Sequence, residues 1–284
     1  MITCDLRGGL GNQIFQIFAT LSYAIKSKNE FKFLNIDTLG TGGSITIRYT
    51  FWNTFFSRLK PFLIQTYPQP IHVIREEDFT FNELPIYEML NRDTLIFGYF
   101  QSYKYFHDNY EIICRIIDLN NSKTNLLNKL NLSNDYFKNC VSMHFRLGDY
   151  KKIQDFHPIL SKEYYYKCLQ YINNKYENSQ FTIMYFCEDE DIDDVIEKIN
   201  HLKEHFTNYE FIRGDDKLED WEQMLLMSCC HHNIIANSSF SWWGAYFNSW
   251  TDKIVCYPSV WFGPSANIDT KDLCPPEWNR ISVL

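Results

Sequence analysis

NIIANSSFSWWGAYFNS, residues 233–249, joins an apolar strand, Asn233–Ala236, directly to a helix, Ser239–Ser249, with no hairpin between them. A strand that turns at once into a helix is the repeating unit of a parallel α/β sheet. The join carries Asn237, Ser238 and Ser239, whose polar side chains can accept from the first helical N–H groups, which have no partner inside the helix. Working upstream, the same alternation recurs. Val141–Arg146 is a strand, Ser161 caps a helix to about Tyr176, Phe181–Phe186 is a strand and residues 190–203 are an acidic-headed helix. Tyr209–Ile212 is a strand and 218–230 a helix; downstream, Lys253–Tyr257 is a further strand. The strands are almost continuously apolar, which predicts a parallel sheet covered on both faces. Ligands of such sheets bind outside the carboxyl ends of the strands.

The first third has one clear unit. Residues 2–6 form a strand, Gly8, Gly9 and Gly11 a turn, and from Asn12 the apolar set Ile14, Phe15, Ile17, Phe18, Leu21, Ala24 and Ile25 recurs at helical spacing. Phe31–Ile36 and Thr94–Tyr99 read as strands, the latter followed by the aromatic segment Phe100–Tyr110 and a helix into residue 118. Residues 40–92 give no clear pattern. Asn120–Asn134 is polar and Asn-rich, the best candidate for a linker or boundary, and sets expected domains of 1–133 and 134–284.

Composition narrows the function classes. With 45% hydrophobic and 22% charged residues the 284-residue chain is globular rather than disordered. A net charge of −8 supplies no field that would draw it to nucleic acid or an anionic membrane, so an anionic ligand must be met by local donors. Aromatic residues make up 17%, which fits either a sugar-stacking platform or a codon bias that also enriches Asn, Lys and Ile. Nine cysteines without repeated spacing read as free thiols in a reducing compartment. Cys229, Cys230, His231 and His232 suggest zinc, but adjacent ligands lack the spacers that wrap a tetrahedral ion. The strand-like start MITCDL and the lack of any ~20-residue apolar run predict no membrane anchor.

Four strings carry chemistry. Arg7-Gly8-Gly9-Leu10-Gly11-Asn12-Gln13 can offer backbone N–H groups and a helix N-terminus to an anion, or be a plain tight turn; it fits neither a dinucleotide fingerprint nor a Walker loop. His144-Phe145-Arg146-Leu147-Gly148-Asp149-Tyr150 delivers His, Arg and Asp at a strand end. The Arg146 guanidinium suits a diphosphate, the alternative being a surface pair with Asp149. Cys187-Glu188-Asp189-Glu190-Asp191 can bind a metal, accept from a guanine edge, or simply favour the next helix's N-terminus. Asn237 to Ala245 can cradle phosphate, or only cap a helix with Trp242 and Trp243 in the core.

Together GGLGNQIFQ (8–16), GYFQSYKYF (98–106), HFRLGDY (144–150) and NSSFSWWGA (237–245) resemble glycosyltransferase family 11, the α-1,2-fucosyltransferases, in the family's order and over nearly the whole chain. The resemblance implies a GT-B-type α/β fold of two Rossmann-like domains with a donor-binding cleft between them, the N-terminal one on the acceptor side. It implies transfer of L-fucose from GDP-β-L-fucose to the 2-hydroxyl of a terminal β-galactoside, with inversion, no metal and no cofactor beyond the donor. By position, Arg146 would hold the β-phosphate with His144 beside it. Asn237, Ser238, Ser239 and Phe240 would line the diphosphate, Asn12 would approach from the other domain, and Glu188 or Asp189 would read guanine. This chain departs from the family's Ser-Asp-Asp string with Cys187-Glu188-Asp189, and Tyr103 replaces an acidic residue. Arg146 is the expected catalytic donor, with Asp149 and then His144 as candidate bases. A soluble cytoplasmic enzyme of bacterial or viral origin is expected. The alternatives are a catalytically silent nucleotide-sugar or glycan-binding module, a GDP-sugar transferase of another linkage, and a metal-dependent transferase using the acidic run.

Overall fold

The computed structural model describes residues 1–40, 47–69, 71–86, 92–176 and 179–283. The chain divides into two compact units, Met1–Thr124 with Asp269–Pro275, and Asn125–Ile268 with Pro276–Leu284.

The first unit contains β1 (Ile2–Cys4), α1 (Leu10–Lys26), β2 (Phe33–Leu34), β3 (Thr38–Leu39), β4 (Arg48–Tyr49), β5 (Leu63–Ile64), β6 (His72–Arg75), β7 (Thr94–Phe97), α2 (Tyr110–Ile116) and the start of α3 (Leu119–Leu130). Its main sheet is parallel, in the order β1-β7-β6. The predicted helical stripe of α1 is buried from Ile14 to Ala24, and Phe106 from the aromatic segment lies 5.9 Å from Phe15 and 5.5 Å from Phe18, ring to ring. Phe33, Trp52, Phe56 and Phe100 are buried as well, so much of the aromatic excess is core. The unread stretch at 40–92 holds, where described, short strands and a 3-10 helix, Ser57–Phe62, elements too short for a periodicity to emerge.

The two units divide within the Asn-rich segment, at Thr124/Asn125 rather than after 133, but the segment there is helix α3 and not an open linker. Leu119 and Leu126 are buried at one-heptad spacing, while Thr124 returns its hydroxyl to the Asn120 carbonyl. Two leucines on one face suffice to hold a helix whose other positions are polar.

The second unit contains β8 (Cys140–His144), α4 (Lys162–Lys175), β9 (Thr182–Phe186), α5 (Ile192–His205), β10 (Glu210–Arg213), α6 (Asp220–Cys229), β11 (His232–Ile234), α7 (Ser239–Tyr246), β12 (Val255–Pro258) and β13 (Asn279–Ile281). All six strands are parallel, in the order β10-β9-β8-β11-β12-β13. Counted from β8, that is 3-2-1-4-5-6, the doubly wound Rossmann order. Right-handed crossovers leaving β8 in one direction and β11 in the other put their helices on opposite faces. Accordingly α4 packs on α5, and α6 on α7. The α/β expectation with parallel sheets holds, and the order reverses between β8 and β11.

A buried amide network fastens that seam. Asn233, fully buried on β11, donates to Ser142 Oγ of β8 at 2.7 Å and to the Met227 carbonyl of α6 at 2.9 Å. Its own carbonyl oxygen accepts from Asn248 Nδ2 at 2.7 Å, and Asn248 Oδ1 accepts from the Trp250 N–H at 2.8 Å. Removing one amide strands the rest in a low-dielectric core. Asn233→Ala is expected to destabilise the chain by about 2–4 kcal/mol, read as the shift in urea unfolding. The double variant with Asn248→Ala should lose less than the two single losses summed; simple additivity would show that the network is not cooperative.

Candidate active site

Everything that leaves the carboxyl ends of β8 and β11 meets at the reversal point. β8 ends at His144 and hands the chain to Arg146 and the turn at Gly148, where φ is +39°. The left-handed φ favours glycine at 148, and a Cβ there would also come within 2.9 Å of Glu188 Oε2. Asp191 accepts the Gly148 N–H at 2.6 Å and pairs with Lys151 at 2.8 Å, locking the loop to the head of α5.

The Arg146 side chain is 18% exposed and forms ion pairs with both Glu188 and Asp149. Its guanidinium carbon lies 5.1 Å from the centre of the Tyr150 ring. The Arg146–Asp149 pair is therefore present, but as one arm of a two-carboxylate clamp on a largely buried cation rather than an isolated surface contact. Asp189 pairs with Arg213 at the end of β10 instead. The acidic run is thus distributed over several cations and does not converge on one point.

From β11, Asn237 is buried and its Nδ2 donates to the Pro158 and Trp261 carbonyls at 3.0 and 3.1 Å, clamping two loops, while its Oδ1 has no protein partner. Ser238 caps α7, its hydroxyl accepting from the Phe240 N–H at 3.3 Å. Ser239 and Phe240 open the helix half-buried, and Trp242 and Trp243 are wholly buried core residues. Capping and core packing account for Ser238 and the two tryptophans, while the helix N-terminus at Ser239 and Phe240 carries the positive end of the peptide dipoles. Two contacts join the strings: the Tyr150 hydroxyl donates to the Asn237 carbonyl at 3.2 Å, and the His144 ring lies 5.5 Å from that of Phe240.

His144 is 7% exposed, its backbone carbonyl accepts from the Tyr165 hydroxyl at 3.1 Å, and its Nδ1 has no protein partner. Burial, reinforced by the nearby Arg146 cation, pushes it down to about 3, so its ring is neutral at physiological pH. One residue that the sequence reading passed over belongs here. The His157 ring stacks on Tyr150 at 4.5 Å and 18°, completing a column under Arg146, and its Nδ1 is also a buried atom without a partner.

In the first unit, Asn12 sits on the first turn of α1, and its Oδ1 accepts from Gln101 Nε2 at 2.7 Å. The turn before it needs Gly8, with φ at +73° and a Cβ position only 2.5 Å from Asn12 Nδ2. Gln13 and Gln16, both fully buried, close the turn by donating to the Gly8 and Arg7 carbonyls at 3.0 and 2.9 Å. Glu76, from the unread stretch, accepts from the Tyr99 and Phe100 N–H groups at 2.7 and 3.0 Å and shapes the turn before Gln101. So the strings at 8–16 and 98–106 are one assembly, and those at 144–150 and 237–245 another.

All nine cysteines are free thiols and seven are buried. His231 is engaged at both nitrogens, by the Lys138 carbonyl at 2.6 Å and Asp252 at 2.9 Å, and His232 Nδ1 accepts from the Ile254 N–H at 3.1 Å. Among the described residues no helix is long and apolar enough to cross a membrane.

The six-stranded sheet is a doubly wound, Rossmann-like one, and the loops that follow β8 and β11 are joined at its reversal point, where such folds take their ligands. The family model "Glycosyl transferase family 11" matches residues 1–282, and the chain belongs to that family. An Escherichia coli O-antigen biosynthesis glycosyltransferase, WbnK, is 29% identical over 92% of this chain and 95% of its own. An Escherichia coli alpha-1,2-colitosyltransferase is 26% identical over 99% of both. Among solved structures, a mutant of Arabidopsis thaliana FUT1 in complex with GDP aligns at a TM-score of 0.48 and 9% identity, covering 89% of this chain and 69% of that one.

The buried neutral histidines set a pH dependence. His144 and His232 are both held near 3, the second by burial and the neighbouring His231. Unfolding raises each to an ordinary histidine value, so the unfolded state binds the extra proton and stability falls as pH drops from about 6.5 towards 3. Between pH 7 and 5 each contributes on the order of 2 kcal/mol of that loss. Urea unfolding at both pH values should show a smaller loss for His232→Gln than for wild type; an unchanged loss would mean that His232 is protonated in the folded chain.

Proposed function

We propose that the protein is an inverting, metal-independent α-1,2-fucosyltransferase that moves L-fucose from GDP-β-L-fucose to the 2-hydroxyl of a terminal β-galactoside. The observation that carries this reading is that the loop bearing Arg146 and the start of α7 are joined at the sheet reversal, through Tyr150 on the Asn237 carbonyl and His144 against Phe240, where a doubly wound fold takes its nucleotide. In the reaction the fucose C1–O bond to GDP breaks, negative charge grows on the β-phosphate, and the acceptor oxygen bonds to C1 from the opposite face. Fixed donors that meet that charge lower the barrier without any ion.

Arg146 takes the β-phosphate bidentately, and the N–H groups of Ser239 and Phe240 with the serine hydroxyls take the remaining oxygens. Glu188 and Asp149 hold the guanidinium in place and compete with the phosphate for it. Because Glu188 shares the arginine with the diphosphate, Asp189, held away by Arg213, is the carboxylate assigned to the guanine N1–H and N2–H₂ edge. A histidine held near 3 is a poor proton acceptor at neutral pH. His144 is therefore assigned to binding and orientation, and the acceptor proton to Asp149 or the departing phosphate.

Two relatives act in related chemistry by name, one of them on colitose in α-1,2 linkage, so donor choice is the point to test. The purified chain is incubated with GDP-fucose, GDP-colitose, GDP-mannose or UDP-galactose over lactose, with and without EDTA, and product linkage is read by NMR. Fucose on O2 of galactose, α-configured and insensitive to EDTA, is expected. Transfer of another sugar or to another hydroxyl would overturn the donor or linkage, EDTA sensitivity the metal independence, and GDP binding without turnover the enzymatic reading. Arg146→Ala is expected to lower kcat by roughly 10²–10³-fold, and Arg146→Lys to recover only part of it because an ammonium cannot form the fork.

A further inference from the structure

Helix α5 closes on His201-Leu202-Lys203-Glu204-His205. Residues three and four apart share one side of a helix, so His201, Glu204 and His205 project together while Leu202 turns inward and is fully buried. One donor atom from each of the three lies within 4.8 Å of the others, the one such grouping of His, Cys, Asp or Glu among the described residues. We propose that these three side chains form a binding site for a transition-metal dication of the zinc type, separate from the sugar-transfer site.

Three features prepare the site. His205 Nδ1 lies 2.9 Å from the His201 carbonyl oxygen. A carbonyl only accepts, so Nδ1 carries the proton and the lone pair of the neutral ring is on Nε2. A backbone carbonyl on one ring nitrogen is how metal-binding imidazoles are commonly fixed in tautomer and direction. Second, the two imidazoles stand 4.7 Å apart, ring to ring, and Tyr166 of α4 lies edge-on to His205 at 5.1 Å and 6.4 Å from His201. That packing limits the rotamers that metal binding would otherwise have to freeze. Third, the site is at the carboxyl end of α5, where unpaired carbonyls make the helix end negative and favour a cation.

Donor chemistry sets the class of ion. Two imidazole nitrogens and one carboxylate suit Zn²⁺, and also Ni²⁺ or Cu²⁺, with water completing the shell; Mg²⁺ and Ca²⁺ prefer all-oxygen ligands. The order His-x-x-Glu-His also occurs in one class of zinc peptidases. Here, however, Glu204 and His205 are exposed at a helix end, and the ion would act as a clamp on the last turn. The location keeps it apart from the transfer chemistry. Helix α5 starts beside Asp191 at the carboxyl edge of the sheet and runs back to the amino edge over 14 residues, about 21 Å.

Isothermal titration of the EDTA-stripped, tag-free chain with ZnCl₂ at neutral pH tests this. One equivalent should bind, MgCl₂ should give no comparable heat, and zinc should raise the melting temperature of wild type. His201→Ala and His205→Ala should each weaken zinc binding at least about tenfold and remove the thermal shift. Glu204→Gln should weaken it by a smaller factor. All three positions are on the surface of one helix turn, so folding is checked by circular dichroism before titration. Absence of zinc binding by wild type, or unchanged binding by the His201→Ala/His205→Ala double variant, would overturn the proposal.

Discussion

The structure turns on the seam between two parallel strands, β8 and β11. Neighbouring strands in a doubly wound sheet send their helices to the same face, except at the one place where the winding reverses. There the loops after β8 and β11 meet, joined by the Tyr150 hydroxyl on the Asn237 carbonyl, at the position where doubly wound folds place their ligand crevice. Whatever fixes the spacing of these two strands fixes the crevice. In this chain the fixing is done by Asn233, whose side chain reaches Ser142 on the neighbouring strand, the Met227 carbonyl and Asn248 at once. A leucine in its place would contribute burial but no direction. The amide contributes direction, at the cost of needing every partner in position.

Charge at the crevice follows from that geometry. Arg146 is largely withdrawn from water, and a cation so placed requires compensation. Glu188 and Asp149 supply it from two different turns, and the positive-φ glycine at 148 lets the Glu188 carboxylate come that close. The clamp therefore does two jobs. It holds the guanidinium plane in one orientation above Tyr150, and in the proposed function it would leave the arginine to ligands that outcompete two carboxylates. A diphosphate can do so, because it adds the helix N-terminus of α7 to its own set of partners. A monoanion has less to gain. In the proposed function, a chain with a net charge of −8 would present its anion site through a local field set by a few buried groups.

Much of the second unit was legible in the sequence because short, mostly apolar strands of three to five residues alternate with helices of 8 to 14 residues. Val141–Arg146 and Phe181–Phe186 matched the observed strands to within two residues, and the motif turns fell at the expected ends. The Asn-rich segment marked the boundary but not its form, because polarity suggested looseness whereas two buried leucines a heptad apart are enough to dock α3. Residues 40–92 were opaque for another reason. Two-residue strands have no period, and the key residue there, Glu76, acts through backbone N–H groups of Tyr99 and Phe100, a contact with no side-chain partner to signal it.

The four strings also differ in how much of their meaning is local. In the second unit, the segment at 237–245 explains itself, since Ser238 caps the helix that it begins and the two tryptophans fill the core beneath. The glycine turn at 8–11 does not. Its helix has no side-chain cap, and the turn is held from within by Gln13 and Gln16 and from 89 residues away by Gln101 on Asn12. Glutamines in the interior of an apolar helix would ordinarily be read as surface positions, yet both are fully buried. Two such residues three apart, directly after a Gly-Gly-x-Gly turn, act as backbone clamps: long enough to reach back over one helical turn, and uncharged, so that burying them costs less than burying an ion even though Gln13 Oε1 is left without a partner. That is the reason the string extends to Gln16 and does not stop at the glycines.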